Sequence, residues 1–140
     1  AYTYLILYDK KLFFDRKKVL ETLKLAHTLA PQNPDILLKM AAVYFDAGDM
    51  DNYLLHANKS IEMKIDYIPA YMDLISYYYN EKNLEAAQAL IQRVLKIQFI
   101  SAEFIPALKL LAEVSLKNND KDSAQAVLKF YDENFYITQL

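Results

Sequence analysis

Two histidines, His27 and His56, are the residues best suited to proton transfer or metal ligation, and the chain holds no cysteine to join them. They stand far outside the i, i+4 spacing that puts two imidazoles on one helix face. Each is expected at a surface or boundary position rather than in a metal site. The absence of cysteine also removes thiolate nucleophiles, disulfides and sulfur-ligated metals. A single glycine cannot build a glycine-rich phosphate loop, and no nucleophile elbow occurs. Carboxylates such as Asp49 and Asp51 fall where a helix begins, and capping accounts for them. The basic run Arg16-Lys17-Lys18 reads as a solvated face, and a net charge of −2 gives no electrostatic reason to bind nucleic acid. The expectation is a non-enzyme with no cofactor and no metal. What remains is apolar and aromatic chemistry, carried by 12 tyrosines and 7 phenylalanines.

The elements that must position these side chains follow from a repeat. Pro34-Asp35-Ile36-Leu37, Ile68-Pro69-Ala70-Tyr71 and Ile105-Pro106-Ala107-Leu108 recur at a period of about 34 residues, with a few extra residues around Ile100 to Phe104. Those extra residues are expected to add a helical turn or lengthen a loop. Met40, Leu74 and Leu111 correspond, as do Tyr44, Tyr78 and Ser115. Gly48-Asp49, Lys82-Asn83 and Asn119-Asp120 mark a turn in each unit. On the helix that follows, Tyr53, Ala87 and Ala124 correspond, then Ala57, Ile91 and Leu128, then Ser60, Val94 and Tyr131. Leu37, Met40, Ala41 and Tyr44 lie at i, i+3, i+4 and i+7, one apolar helical stripe. Asn33 before Pro34 is a strong helix start, and Asp49, Asn83 and Asp120 each stand at an N-cap. Gly48 sits where the first helix must stop, in an αL cap.

The spacing predicts helix pairs at Pro34 to Ala47 with Met50 to Met63, Pro69 to Glu81 with Leu84 to Lys96, and Ile105 to Lys117 with Lys121 to Asn134. A further helix runs from Arg16 to Leu29, burying Val19, Leu23 and Ala26, and an earlier one is sketched around Tyr4 to Lys11. No stretch alternates as a strand does, so the fold class is all-α. With 54% hydrophobic and 24% charged residues the chain is a folded domain. One glycine and four prolines leave no flexible linker to divide it. The single repeat domain has units at about 1–33 (partial), 34–67, 68–104 and 105–140.

Apolar stretches lie at both ends, in Ala1 to Tyr8 and in Phe135, Tyr136, Ile137 and Leu140. Repeat arrays shield their ends with polar caps, so the expectation is a piece of a longer protein, with self-association through the apolar ends as the other reading. No apolar run reaches the roughly 20 residues of a membrane span, and no signal-peptide pattern is present.

Leu37-x-x-Met40-Ala41-x-x-Tyr44 and Tyr71-x-x-Leu74-Ile75-x-x-Tyr78 resemble the first helix of the tetratricopeptide repeat, and Ala87 with Ile91 and Ala124 with Leu128 resemble its second. Leu108-x-x-Leu111-Ala112-x-x-Ser115 lacks the tyrosine, Tyr53 and Ala57 look exchanged, and the closing proline at Pro31 is replaced by Ile65 and Phe99. The resemblance covers Asp15 to Leu140 and implies a right-handed superhelix, an α-solenoid of antiparallel helix hairpins. It also implies a concave face built from first helices, bearing Leu38, Ala42 and Phe45, then Met72, Ser76 and Tyr79, then Lys109, Glu113 and Leu116, with Tyr4 and Tyr8 in the partial unit. Leu38, Phe45, Met72 and Tyr79 are expected to be partly exposed, with Tyr44 and Tyr78 buried. Tetratricopeptide domains that clamp a carboxylate use basic residues on this face, whereas Leu38, Ala42, Met72, Asp73 and Leu110 stand here. The expected partner is a peptide or helical segment of another protein. The alternative is a regulatory or assembly module of an enzyme or membrane protein in the same parent chain.

Overall fold

The computed structural model describes residues 15–135. Among these residues the chain is all-helical, with no strand: α1 (Arg16–Leu29), α2 (Pro34–Asp46), α3 (Met50–Met63), α4 (Ile68–Asn80), α5 (Leu84–Leu95), α6 (Ile105–Lys117) and α7 (Lys121–Phe135). The sketched helix at Tyr4 to Lys11 lies outside the described residues. The chain divides into two compact units, Ala1–Lys64 and Ile65–Leu140. No described helix is long and apolar enough to cross a membrane.

In the first unit α2 begins as its sequence dictates. Asn33 accepts a hydrogen bond from the Asp35 amide at 3.0 Å, and Pro34 fills a position whose missing N–H costs nothing. Val19 and Leu23 of α1 meet Leu37, Met40 and Val43 of α2 in a buried cluster, with Leu20, Ile36 and Met63 packed around it. Tyr53, Ala57 and Ile61 of α3 are buried as well. Ser60 is buried too, because its hydroxyl donates to the Pro34 carbonyl at 2.7 Å. That bond ties the end of α3 to the start of α2. Ala26, expected in the core, is only half-buried.

In the second unit α4 pairs with α5 and α6 with α7, while α4 also packs on α6 and α5 on α7. First helix meets first helix and second meets second, as stacked repeats require. Ile68, Leu74, Ile75, Ile91, Leu108, Leu111 and Val127 are essentially inaccessible. The extra residues before α6 form a short 3-10 turn, Ala102–Phe104.

The same turn closes all three hairpins. Gly48, Lys82 and Asn119 all adopt positive φ, at 79°, 60° and 61°. The amides of Asp49, Asn83 and Asp120 then donate back to the carbonyls of Tyr44, Tyr78 and Ser115 at 2.9, 2.8 and 2.9 Å. This is the paired closure of an αL helix end. The three capping side chains next accept from the amides of Asn52, Ala86 and Ser123.

Two expectations of burial on the first helices need correction. Tyr44 and Tyr78 are half-buried rather than core. Tyr44 lies against the His56 ring at 4.8 Å and Tyr78 against Tyr77 at 5.2 Å, at the solvent boundary, and Val43 goes inward in place of Tyr44. Leu128 is 40% exposed although Ile91, its counterpart, is fully buried. Ile91 is covered because α7 packs on α5; among the described residues no helix packs on the far side of α7, whose inward residues are Ala124, Val127 and Tyr131.

Candidate functional site

Leu38, Ala42 and Phe45 share one face of α2 through their i, i+4, i+7 spacing. Leu38 is half-buried, Ala42 is exposed, and Phe45 is 46% exposed despite its size. Its ring is backed edge-on by buried Tyr53, with centroids 5.2 Å apart. Nearly half of this aromatic side chain therefore remains open to solvent on a fixed support. On α4, Met72 and Ser76 are half-buried on one face. On α6, Lys109, Glu113 and Leu116 are exposed, and the Lys109 ammonium lies 4.9 Å from the Tyr131 ring centroid. Tyr4 and Tyr8 lie outside the described residues.

Tyr79, expected to be partly exposed, is only 5% exposed, and this is a correction. Its hydroxyl donates to the Asp120 carboxylate at 2.8 Å and lies 3.2 Å from the buried Ser115 hydroxyl. Gln88 and the Ser123 amide complete the shell around Asp120, each donating at 3.2 Å. One carboxylate thus caps α7 and gathers side chains from α4 and α5. Burial pushes the Tyr79 hydroxyl up to about 12, reinforced by the adjacent carboxylate. The phenol is a proton holder for structure, with no titration near neutral pH. The sequence held one sign of this network: Ser115 replaces the register tyrosine, leaving room for a hydroxyl to enter.

His27 and His56, distant in sequence, line one cleft in the first unit with Gln32, Leu37, Met40, Lys59, Glu62 and Met63, enclosing about 490 Å³. Spacing along the chain held no sign of this meeting, because it comes from α1 and α3 packing about α2. His56 Nδ1 lies 2.7 Å from the Asn52 carbonyl and, since a carbonyl can only accept, donates to it. His27 Nδ1 is buried without a hydrogen-bond partner. Among the described residues no three His, Cys, Asp or Glu side chains come together as metal ligands. Asp49 is held by Asn52, whose side chain and amide donate to it and lower its pKa. Its carboxylate is occupied in capping.

No protein-family model matches this chain, and no curated protein shows significant similarity to it.

Proposed function

We propose that this chain is a non-catalytic scaffold of the α-solenoid kind, similar to tetratricopeptide repeats, that binds a peptide or helical segment of a partner protein on the faces of its first helices. The three identical αL closures and the like-on-like packing of α4 with α6 and α5 with α7 support the repeat reading. The observation that carries the binding reading is Phe45, a half-exposed ring on the helix face it shares with Ala42 and Leu38, braced by Tyr53. An apolar anchor held rigid before binding loses little entropy when a partner arrives. Exposed apolar clusters on otherwise polar helices mark interaction sites.

Aromatic anchors of this kind cost about 2 kcal/mol or more when truncated. Phe45→Ala should therefore weaken partner capture by about tenfold or more while leaving helical circular dichroism and the melting temperature nearly unchanged. Leu55 on α3 is 48% exposed and serves as an equally apolar control, whose change to alanine should leave capture intact. If Phe45→Ala unfolds the domain, the ring is core; if it folds and captures as wild type does, this face is not the binding surface.

A further inference from the structure

The second unit carries a groove of about 540 Å³ lined by Ile65, Tyr71, Arg93, Lys96, Ile97, Gln98 and Phe99. Two of its residues are large, apolar and strongly exposed: Ile65 at 67% and Phe99 at 86%. Large apolar side chains left exposed together along one groove mark an interaction site. The two loops that carry them are tied into a fixed frame. The Asp66 carboxylate accepts from both the amide and the hydroxyl of Ser101, at 2.7 and 2.6 Å. Tyr67 packs edge-on against Phe104 with centroids 5.5 Å apart. The Tyr71 hydroxyl donates to the Ile65 carbonyl at 2.8 Å, fixing the backbone on which Ile65 stands.

The rim is cationic. Arg93 and Lys96 are exposed at the C-terminal end of α5, and among the described residues neither is paired with a carboxylate. The Arg93 guanidinium lies 5.6 Å from the Tyr71 ring centroid, which orients it while its charge stays unneutralised. The helix C-terminus accounts for one favourable cation there. It does not account for two cations beside two exposed apolar side chains. Asp66, the acidic residue next to Ile65, is turned to Ser101.

We propose that this groove binds an extended acidic and apolar peptide segment of a partner protein. A carboxylate of the segment meets Arg93 and Lys96, and a large apolar side chain enters between Ile65, Ile97 and Phe99. Charge complementarity selects this occupant, since the rim offers positive charge and the floor offers apolar surface. The site is independent of the α2 face. It also explains why Ile65 and Phe99 stand in the register position that Pro31 fills in the first unit: the loop-closing residue is replaced twice by an exposed apolar one.

The test uses the full chain and a short fluorescent peptide alternating aspartate with phenylalanine and leucine, followed by anisotropy. A peptide with lysine in place of aspartate and vesicles containing phosphatidylserine are run beside it. The acidic peptide should bind better than the lysine peptide and weaken as salt is raised. Arg93→Glu with Lys96→Glu should weaken it by about tenfold and bring in the lysine peptide, since reversed charges reverse selectivity. Phe99→Ser should weaken it while circular dichroism stays unchanged. Equal binding of both peptides, or indifference to the charge reversal, overturns the proposal. So does binding to vesicles through Phe99 without binding to the acidic peptide, which would make the patch a lipid contact.

Discussion

The hydroxyl of Tyr79 leaves water for Asp120 and Ser115, and the exchange holds only while the phenol keeps its proton and the carboxyl has lost its own. Burial alone would raise the Asp120 pKa, but hydrogen bonds from Ser123, Tyr79 and Gln88 outweigh it and hold the group below its ordinary 3.8. A carboxyl with a depressed pKa contributes stability above 3.8 that is lost as pH falls through its lower folded value. Tyr79 runs the other way: its contribution is whole below 10.0 and is lost as pH rises through about 12. Tyr79→Phe removes the donor and leaves Asp120 buried with one partner fewer. It should cost about 1–2 kcal/mol at neutral pH, seen as a lower urea midpoint. The alkaline loss of stability should shrink, with Tyr71, whose pKa burial also raises, among the groups that still contribute. An unchanged midpoint with an unchanged alkaline limb would show that the bonds contribute nothing net.

Helices were legible because their signals are local. Asn33-Pro34, Asp49, Asn83 and Asp120 are caps that act within one turn of themselves, and each helix begins within a residue of them. Burial was legible only where it depends on the hairpin itself. Phe45 and Tyr79 hold the same register position, yet one is half-exposed and the other is buried and bonds the carboxylate that caps α7. That difference is written in Ser115 and Asp120, distant along the chain. Leu128 loses the cover that its counterpart Ile91 has for a similar reason, since α7 packs on α5 and no described helix packs on the far side of α7. Two changes at the element scale separate backbone from packing. Lys82 pays for a φ of 60° that glycine adopts freely, so Lys82→Gly should be neutral or stabilising by up to about 1 kcal/mol. Ala87 is fully buried in α5, so Ala87→Leu should overpack the helix contact and cost about 1–3 kcal/mol. Thermal melts should rank Lys82→Gly at or above wild type and Ala87→Leu clearly below; the reverse order would mean that the register is wrong.

At the scale of the whole molecule, stability should divide as the contacts do. Repeat arrays are held by the hairpins themselves and by the contacts of each hairpin with its neighbour. The second unit contains one complete contact of that kind, α4 with α6 and α5 with α7. Its Tyr79–Asp120 network and its Asp66–Ser101 clamp close entirely within Ile65–Leu140. Ile91, Val94, Leu108, Leu111 and Val127 give it a core with almost no exposure. A domain of this size sits near the lower limit for folding by hydrophobic burial alone, at about 3–5 kcal/mol. Ile65–Leu140 produced by itself should nevertheless be helical by circular dichroism and unfold in one cooperative urea transition. Tyr79→Phe should shift that transition as it does in the full chain, because every partner of the hydroxyl is present. A coil-like spectrum, or a gradual loss of helix without a midpoint, would show that the second unit needs the first to fold. The Arg93–Phe99 groove also lies within this piece, so a folded fragment that binds the acidic peptide as tightly as the full chain would place that activity in the second unit alone.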